Sequence, residues 1–337
     1  MIDLACPRCG RTARTGPVYP PRCSCGGLWD LSGTAAPPAS VASWSPTPLW
    51  EDPVEPGLVW KREDLNPTGS FKDRGAAVLA AFARERGAVR FILDSWVSGA
   101  VAGAAAAARE GIPITVHAPE AVSPIKAEAL ERLGARLVAE GDRGAAAARA
   151  LAGAGDAFYL SHVHHPAFWL GTAVAGEEAL EQGAPATWVI PVGNGSLLLG
   201  LARALRTAGA SGVRLIAVQA ETCAGLLRPG SPGRSVAAGI AIDDPPRRAA
   251  ILDAVERSGG TVVTVPETAI LDAWRALWRR GAAPEKASAA VLAGVLRLRA
   301  DGADGIDGPL LGWLTGSGHR ESEPEREWTA PAAVSDP

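Results

Sequence analysis

The sequence predicts an α/β fold made of two doubly wound, mostly parallel sheet domains behind a small cysteine-rich N-terminal segment. Three observations favour this fold. Short apolar runs with strand character alternate with longer helical segments, as in parallel sheets covered by helices on both faces. A chain of 337 residues with 47% hydrophobic residues can bury two sizeable cores. Glycine turns follow several of the strands, and ligands in such folds bind at the carboxyl ends of strands.

The elements follow each other in a regular order. The first strand lies around Trp60, and a helix runs from Lys72 to about Arg86. Further strands are expected at 89–93, 114–117, 137–138, 158–160, 187–192, 214–219 and 261–265, with a strand-like run from 311. Helices are expected at 99–110, 123–134, 142–153, 166–182, 196–208, 249–258, 267–280 and 285–299. The predicted domains are a cysteine segment (1–30), a linker (31–47), a large domain (48–76 and 176–320), a small α/β domain (77–175) and a disordered tail (321–337).

Composition excludes several classes of function. Lys plus Arg is 33 and Asp plus Glu is 36, so the formal net charge of −3 gives no reason to expect nucleic acid or an anionic membrane surface as a partner. No apolar stretch is long enough for a membrane span, and the first residues lack the pattern of a signal peptide. The expectation is a cytoplasmic protein that binds a small molecule.

Four of the five cysteines lie in the first 25 residues. Cys6 and Cys9 form a Cys-x2-Cys pair, and Cys23 and Cys25 follow thirteen residues later in Cys-x-Cys-Gly-Gly. Two such pairs can place four thiolates around Zn²⁺, and a metal would supply stability that so small a segment lacks. The alternatives are a disulfide or free thiols. The pattern predicts a structural zinc site, closed by four sulfurs and therefore not catalytic.

The segment Asn66-Pro67-Thr68-Gly69-Ser70-Phe71-Lys72-Asp73-Arg74-Gly75 contains the main chemical signal. Pro and Gly predict a turn, Ser70 can cap a helix start, and Lys72 falls within the first helical turn. The helix dipole and Arg74 both disfavour a charged amine there, so Lys72 can act as a nucleophile near neutral pH. The alternative is an ordinary helix start with one solvated lysine.

Preceded by Lys61-Arg62-Glu63-Asp64-Leu65, this segment resembles the Schiff-base motif of the threonine synthase group, within the tryptophan synthase beta (fold type II) enzymes that use pyridoxal 5'-phosphate. The resemblance implies that Lys72 carries the cofactor, that the large domain binds it, and that the chain forms a homodimer acting on an amino acid. Similar chains carry an N-terminal ribbon like the cysteine segment.

Two further loops fit this resemblance. Gly193, Asn194, Gly195 and Ser196 follow an apolar strand and open a helix, where backbone N–H groups and the helix N-terminus can hold a phosphate. The alternative is a strand-to-helix turn without a ligand. Thr315 matches the hydroxyl that faces the pyridine nitrogen in the family, and such a neutral partner suits elimination and replacement chemistry. Lys72 and both loops lie at predicted strand ends, which favours one common site.

The sequence departs from the family before the helix at 99. Relatives carry Ser-Ser-Gly-Asn or Ser-Thr-Gly-Asn, whereas this chain reads Asp94-Ser95-Trp96-Val97-Ser98-Gly99-Ala100. No Asn is present, so Ser98 is the predicted substitute toward the cofactor, and Trp96 and Val97 would crowd the loop that holds a substrate carboxylate in relatives.

Three functions therefore remain open. The first is a threonine synthase-like lyase that converts O-phospho-L-homoserine and water to L-threonine and phosphate. The second is another elimination or replacement enzyme, such as a serine or threonine dehydratase. The third is a cofactor-binding protein without catalysis. His162, His164 and His165 are expected to line a loop near the site or a subunit contact rather than to bind a metal.

Overall fold

A computed structural model describes residues 3–32, 37–38, 45–95, 98–230 and 233–321. The predicted linker lies largely outside these ranges, as do Trp96, Val97 and all but the first residue of the predicted tail. Within the described residues the strands form three sheets. Their arrangement confirms the α/β fold with mostly parallel sheets.

The strands follow the predicted order closely. They are β1 (Asp3–Ala5), β2 (Thr12–Arg14), β3 (Asp30–Ser32), β4 (Leu49–Glu51), β5 (Leu58–Lys61), β6 (Phe91–Asp94), β7 (Ile114–Ala118), β8 (Arg136–Ala139), β9 (Phe158–Tyr159), β10 (Thr187–Pro191), β11 (Arg214–Ala220), β12 (Thr261–Val265) and β13 (Leu310–Trp313). The strands β1 to β4 were not predicted, because three-residue strands leave too short a pattern to read.

The helices also match the expected positions within two residues. They are α1 (Lys72–Glu85), α2 (Ser98–Glu110), α3 (Pro124–Arg132), α4 (Arg143–Ala152), α5 (Phe168–Glu181), α6 (Ser196–Ala208), α7 (Arg248–Arg257), α8 (Glu267–Arg279) and α9 (Lys286–Ala300). Helices α1 and α5 run across the predicted domain boundaries at 76/77 and 175/176, and the division into domains stays a prediction. No helix in the described part of the chain is long and apolar enough to cross a membrane.

Sheet order determines where the site lies. The large sheet has the order β12-β11-β10-β13-β5-β4 and is parallel except for β4, which pairs antiparallel with β5. The small sheet has the order β8-β7-β6-β9, with parallel neighbours throughout. Because β10, β13 and β5 are adjacent and point the same way, the loops at their carboxyl ends meet.

The N-terminal segment packs onto the small sheet. Strands β1, β2 and β3 form an antiparallel sheet, and the buried side chains of Leu4, Tyr19 and Trp29 join the main hydrophobic core. The Tyr19 hydroxyl donates a hydrogen bond of 2.9 Å to the carbonyl of Tyr159 in β9. The segment is therefore part of the folded body of the chain.

Candidate active site

Lys72 is the first residue of α1 and lines two adjoining cavities. The chain enters the helix through Gly69, whose φ of 72° is left-handed and favours glycine. The Ser70 hydroxyl accepts a 3.3 Å hydrogen bond from the Lys72 backbone N–H. The N-cap of α1 is Phe71, which makes no side-chain cap bond, so the predicted cap at Ser70 lies one residue too early. The Lys72 side chain then lies over the Phe71 ring, with Nζ 4.3 Å from the ring centre.

The surroundings of the Lys72 amine favour its neutral form. Burial lowers the pKa of Lys72, and the carboxylates of Glu285 and Asp73 partly oppose that shift. The predicted direction of the pKa shift is therefore found, but its cause is burial and not the charge of Arg74. Arg74 has no such effect, since its own charge is balanced elsewhere.

Arg74 belongs to a buried ion-pair network behind α1. Its Nε lies 2.7 Å from Glu63 and its Nη1 lies 2.7 Å from Glu178 of α5. Lys61 pairs with the same Glu178 at 2.9 Å. Two cations and two anions make the network neutral, and these pairs tie α1 to α5 and to the end of β5. The network holds the start of α1, and with it Lys72, in place.

The turn after β10 provides a cradle for an anion. A Cβ on Gly193 would lie 2.8 Å from the carbonyl oxygen of Gly239, and a Cβ on Gly195 would strike Ile251. Gly195 also has a φ of 79° and forms the N-cap of α6, a helix of 13 residues. Backbone N–H groups and the positive helix end thus border the cavity, where a side chain would fill the space. This geometry fits the phosphate of the cofactor that the Lys72 motif implies.

Thr315 lines the same cavity as Lys72 and the 193–196 turn. Its hydroxyl donates a 2.9 Å hydrogen bond to the carboxylate of Glu285 and lies 3.0 Å from the Ser288 hydroxyl. Ser288 Oγ in turn accepts from the Thr315 backbone N–H at 2.8 Å. The buried Glu285 carboxylate also lines this cavity, so the predicted hydroxyl has an acidic neighbour that sequence reasoning did not assign. The only sequence signal was a Glu285-Lys286-Ala287-Ser288-Ala289 segment similar to one in the family.

The second cavity extends from Lys72 toward the small sheet. Polar residues in its lining are Lys72, Asp94, Ser95, His117, Arg143, His162 and Asn194. Ser95 directly follows β6. A Cβ on Gly99 would lie 2.8 Å from Ser95 Oγ and 3.4 Å from Lys72 Cδ. The start of α2 therefore approaches Lys72 closely.

The assignment of Ser98 to the cofactor stays a prediction, and the structure draws attention to another residue of this loop. Ser98 begins α2 but is not among the residues that line either cavity, whereas its neighbours Ser95 and Gly99 are. Side chains in the first helical turn point in different directions, and a one-residue choice within a gapped motif cannot be made from sequence alone. Ser95 is thus the hydroxyl of this loop that faces the cavity. The expectation that Trp96 and Val97 crowd the loop falls outside the described residues.

The three histidines have separate surroundings. His162 lines both cavities, and burial together with the nearby Lys72 charge lowers its pKa to about 3. His164 Nδ1 lies 3.0 Å from the Ser161 hydroxyl. His165 is buried against Tyr19, Phe82 and Phe158. Only His162 borders the site, and the metal-ligand geometry found among the described residues involves cysteines instead.

The four N-terminal cysteines converge on one point. Their sulfur atoms all lie within 4.8 Å of one another, with Cys6 and Cys25 at 3.5 Å and Cys9 and Cys23 at 3.6 Å. These distances exceed the roughly 2.05 Å of a disulfide bond. They are close to the spacing of about 3.8 Å between sulfurs placed tetrahedrally about 2.3 Å from one zinc ion. The donor set and its geometry fit zinc.

Comparison with known proteins agrees with this geometry. Residues 43–315 match the family model described as "Pyridoxal-phosphate dependent enzyme". The chain is 30% identical over 279 residues to a threonine synthase of Bacillus sp. (strain ULM1), and the aligned region covers 79% of each protein. It is 32% identical over 165 residues to the L-serine dehydratase/L-threonine deaminase of Mus musculus, which covers 47% of this chain and 50% of that protein.

Solved structures show the same relationship. The crystal structure of a threonine deaminase from T.th. superimposes with a TM-score of 0.66 at 29% identity, over 79% of this chain and 89% of that one. Enzymes of the matched family use pyridoxal phosphate, and the relatives named here include lyases that act on amino acids. The match confirms the family expected from the Lys72 motif: the chain belongs to the pyridoxal-phosphate-dependent enzymes of fold type II.

Proposed function

We propose that this protein is a pyridoxal-phosphate-dependent lyase most like threonine synthase, with O-phospho-L-homoserine and water as substrates and L-threonine and phosphate as products. The observation that carries the proposal is that Lys72, the 193–196 turn and Thr315 line one cavity. Their separation in sequence gives no reason for them to meet unless the fold assembles one site. The similarity to a threonine synthase over most of both chains supports the choice of reaction.

Each residue has a distinct role in this proposal. Lys72 would hold the cofactor covalently, and its amine would accept the proton from the substrate Cα. Burial lowers the pKa of Lys72, which favours the neutral amine that both roles need. The N–H groups around Gly193, Asn194, Gly195 and Ser196 hold the cofactor phosphate, and Thr315 orients the ring. The bound cofactor supplies an electron sink for the charge that develops at Cα.

The substrate carboxylate needs its own donors. Ser95 and Gly99, which lies in the first turn of α2, line the second cavity beside Lys72. A hydroxyl and a helix N-terminus are both suited to a carboxylate. We assign them this role in place of the Asn-containing motif of relatives.

A dehydratase-like elimination from serine or threonine is the second candidate. The similarity to a serine dehydratase and to a threonine deaminase structure supports it. Both reactions would begin with loss of the proton from Cα. In the first, phosphate would leave from Cγ and water would add at Cβ; in the second, hydroxide would leave from Cβ, and the product would hydrolyse to a keto acid and ammonia. Release of phosphate from O-phospho-L-homoserine supports the first candidate, and formation of a keto acid from serine or threonine supports the second.

We further propose that the four N-terminal cysteines bind a structural zinc ion and that the chain forms a homodimer. The convergent sulfur atoms support the zinc site. The dimer rests on the family resemblance, and light scattering of the purified protein measures it directly.

The experiment that tests the site uses the small number of lysines. The sequence contains four: Lys61, Lys72, Lys126 and Lys286. Borohydride reduction of the cofactor-loaded protein followed by peptide mass analysis should place the pyridoxyl group on Lys72. Lys72→Ala should lose the absorbance band of the lysine-linked cofactor and all turnover, whereas Lys126→Ala should keep both.

Two results would contradict the proposal. Labelling at Lys61, Lys126 or Lys286 would remove Lys72 from the site. A cofactor-loaded protein labelled at Lys72 that turns over none of these amino acids would instead support the third reading, a cofactor-binding protein without catalysis.

A further inference from the structure

Arg143 lines the wall of the second cavity, along with Lys72. It lies at the first position of α4, after the N-cap Asp142, whose side chain accepts a 2.8 Å hydrogen bond from the Ala145 N–H. The residue is solvent-exposed yet faces protein groups from the other sheet domain: its Nη1 donates a 3.3 Å hydrogen bond to the Ala241 carbonyl. A guanidinium has five N–H donors in a planar fork, so it can hold a loop carbonyl and bind an anion together.

The charged groups near Arg143 include two carboxylates. Asp94 and Asp243 both interact with the charge of Arg143. Asp94 accepts a hydrogen bond from the Tyr159 hydroxyl, and burial raises the pKa of Asp94. Asp243 is exposed to water, which screens its charge. His162 is neutral at pH 7 because of its low pKa. Arg143 keeps its guanidinium charge at neutral pH, so this wall of the cavity carries a cation.

Arg143 shares its cavity with Lys72, Ser95 and Gly99. The amine must reach Lys72, and the α-carboxylate is assigned to Ser95 and the start of α2 beside that lysine. The side chain of a substrate bound in this way is left to the rest of the cavity lining, which includes Arg143. An arginine there would meet a side-chain group and not the α-carboxylate.

We propose that Arg143 binds an anionic group on the substrate side chain and so selects acidic or phosphorylated amino acids over serine and threonine. This inference rests on the proposed function, since it requires an amino acid linked at Lys72. It adds a specificity-determining residue that no recognised motif contains. Carboxylate and phosphate share the bidentate geometry that a guanidinium recognises, and the ligands below distinguish them.

The test measures equilibrium binding to the cofactor-loaded protein. Changes in the cofactor absorbance on titration with O-phospho-L-serine, O-phospho-L-homoserine, L-aspartate, L-serine and L-threonine give Kd values. Three variants are compared with the unchanged protein: Arg143→Gln, Arg143→Lys and the control Arg149→Gln. Arg149 lies on the same helix and pairs with Glu140 at 2.9 Å, outside the cavity lining. Cofactor content and melting temperature show whether each variant is folded.

The expected result is a selective loss. Arg143→Gln should raise Kd for the anionic ligands about 10- to 100-fold, the effect of losing a hydrogen bond to a charged group. Kd for serine and threonine should change less than about twofold, and Arg149→Gln should bind all ligands like the unchanged protein. Arg143→Lys should recover part of the loss, because it keeps the charge but not the fork. A larger rise in Kd for O-phospho-L-serine than for L-aspartate would identify phosphate as the preferred group. A larger rise for L-aspartate would identify a carboxylate.

The outcomes separate the two proposals. If Arg143→Gln weakens serine and O-phospho-L-serine equally, Arg143 binds the α-carboxylate and the inference is wrong, while the proposed function stands. If it changes no Kd, Arg143 holds only the Ala241 loop and the inference is also wrong. If the unchanged protein binds no amino acid, both proposals fail.

Discussion

The glycine cradle can be tested by a pair of substitutions at the two ends of one helix. Gly195 and Gly209 cap α6 at its start and its end, and both are left-handed, with φ of 79° and 66°. Alanine at either position costs about 1–2 kcal/mol, because a residue with a Cβ is strained in the left-handed conformation. A Cβ at Gly209 meets nothing within 4 Å, whereas at Gly195 it strikes the side chain of Ile251. The difference between the two variants therefore isolates the contact at the cradle.

The expected magnitudes follow from these contacts. Gly209→Ala should lower the free energy of unfolding of the apoprotein by about 1–2 kcal/mol in urea and leave cofactor affinity unchanged. Gly195→Ala should lower it by a further amount of about 1–3 kcal/mol, typical of overpacking a buried position. Because the turn must shift, the phosphate should lose at least one charged hydrogen bond. Cofactor Kd should then rise about 10- to 100-fold.

The refuting result is equally specific. If Gly195→Ala binds pyridoxal phosphate as tightly as Gly209→Ala does, the 193–196 turn is not the phosphate site. Truncating the obstacle provides a check, since Gly195→Ala combined with Ile251→Ala removes the clash. The double variant should recover cofactor affinity even though the loss of buried Ile251 costs stability.

Three other predictions concern the surroundings of the site. Arg74→Leu should destabilise the protein in urea by about 3–5 kcal/mol, because it leaves buried Glu63 and Glu178 short of a cation. Glu285→Gln should lower the pKa of Lys72 further, because the Glu285 charge raises that pKa. The measurement is the rate of cofactor attachment to apoprotein, followed by absorbance, which should reach its plateau at lower pH. Cys9→Ser should reduce zinc content measured by metal analysis and lower the melting temperature, whereas Cys223→Ser, outside the cluster, should keep the zinc. An unchanged urea midpoint, pH profile or zinc content would contradict the respective prediction.

Much of this arrangement is local in origin and was therefore predictable. Helix α6 begins where a glycine turn ends an apolar strand, and Lys72 follows a Pro-Thr-Gly-Ser turn, so short segments define both positions. Parallel topology then brings strand ends together, which explains why three distant loops were expected at one site. Glycine positions and hydrophobic periodicity indicate the local backbone geometry. That geometry determines where the loops of the site lie.

The features that were missed depend on contacts between distant residues. The sequence predicts that the charge of Arg74 lowers the pKa of Lys72. In the structure, Glu178, 104 residues away, balances that charge. Arg143 belongs to no motif, and its place in the cavity follows from how α4 lies against residues near 241. Contacts between side chains that are distant in sequence produce no periodic pattern from which they could be predicted. Electrostatic roles therefore required the structure, whereas the positions of the loops did not.

The buried His165 links the N-terminal segment to the loop beside the site, and it predicts how the fold responds to acid. Its Nδ1 accepts a 3.1 Å hydrogen bond from the Ala167 N–H, which requires a neutral ring, and burial lowers its pKa to about 3. An unfolded histidine has a pKa near 6.5. The folded pKa is the lower one, so the unfolded state binds more protons below pH 6.5 and stability falls as the pH drops from there toward 3. At pH 5 this loss amounts to about 2 kcal/mol.

His165→Asn should remove that part of the acid sensitivity, because the Asn side-chain oxygen can accept the same hydrogen bond without titrating. The measurement is the free energy of unfolding in urea at pH 7.5 and pH 5. The variant should be less stable than the unchanged protein at pH 7.5, since it loses contact with the Tyr19 ring 4.4 Å away, yet it should lose about 2 kcal/mol less on acidification. His319→Asn, at an exposed position, serves as the control and should lose as much as the unchanged protein. Equal losses in all three proteins would show that His165 does not hold the segment and the loop together through its neutral ring.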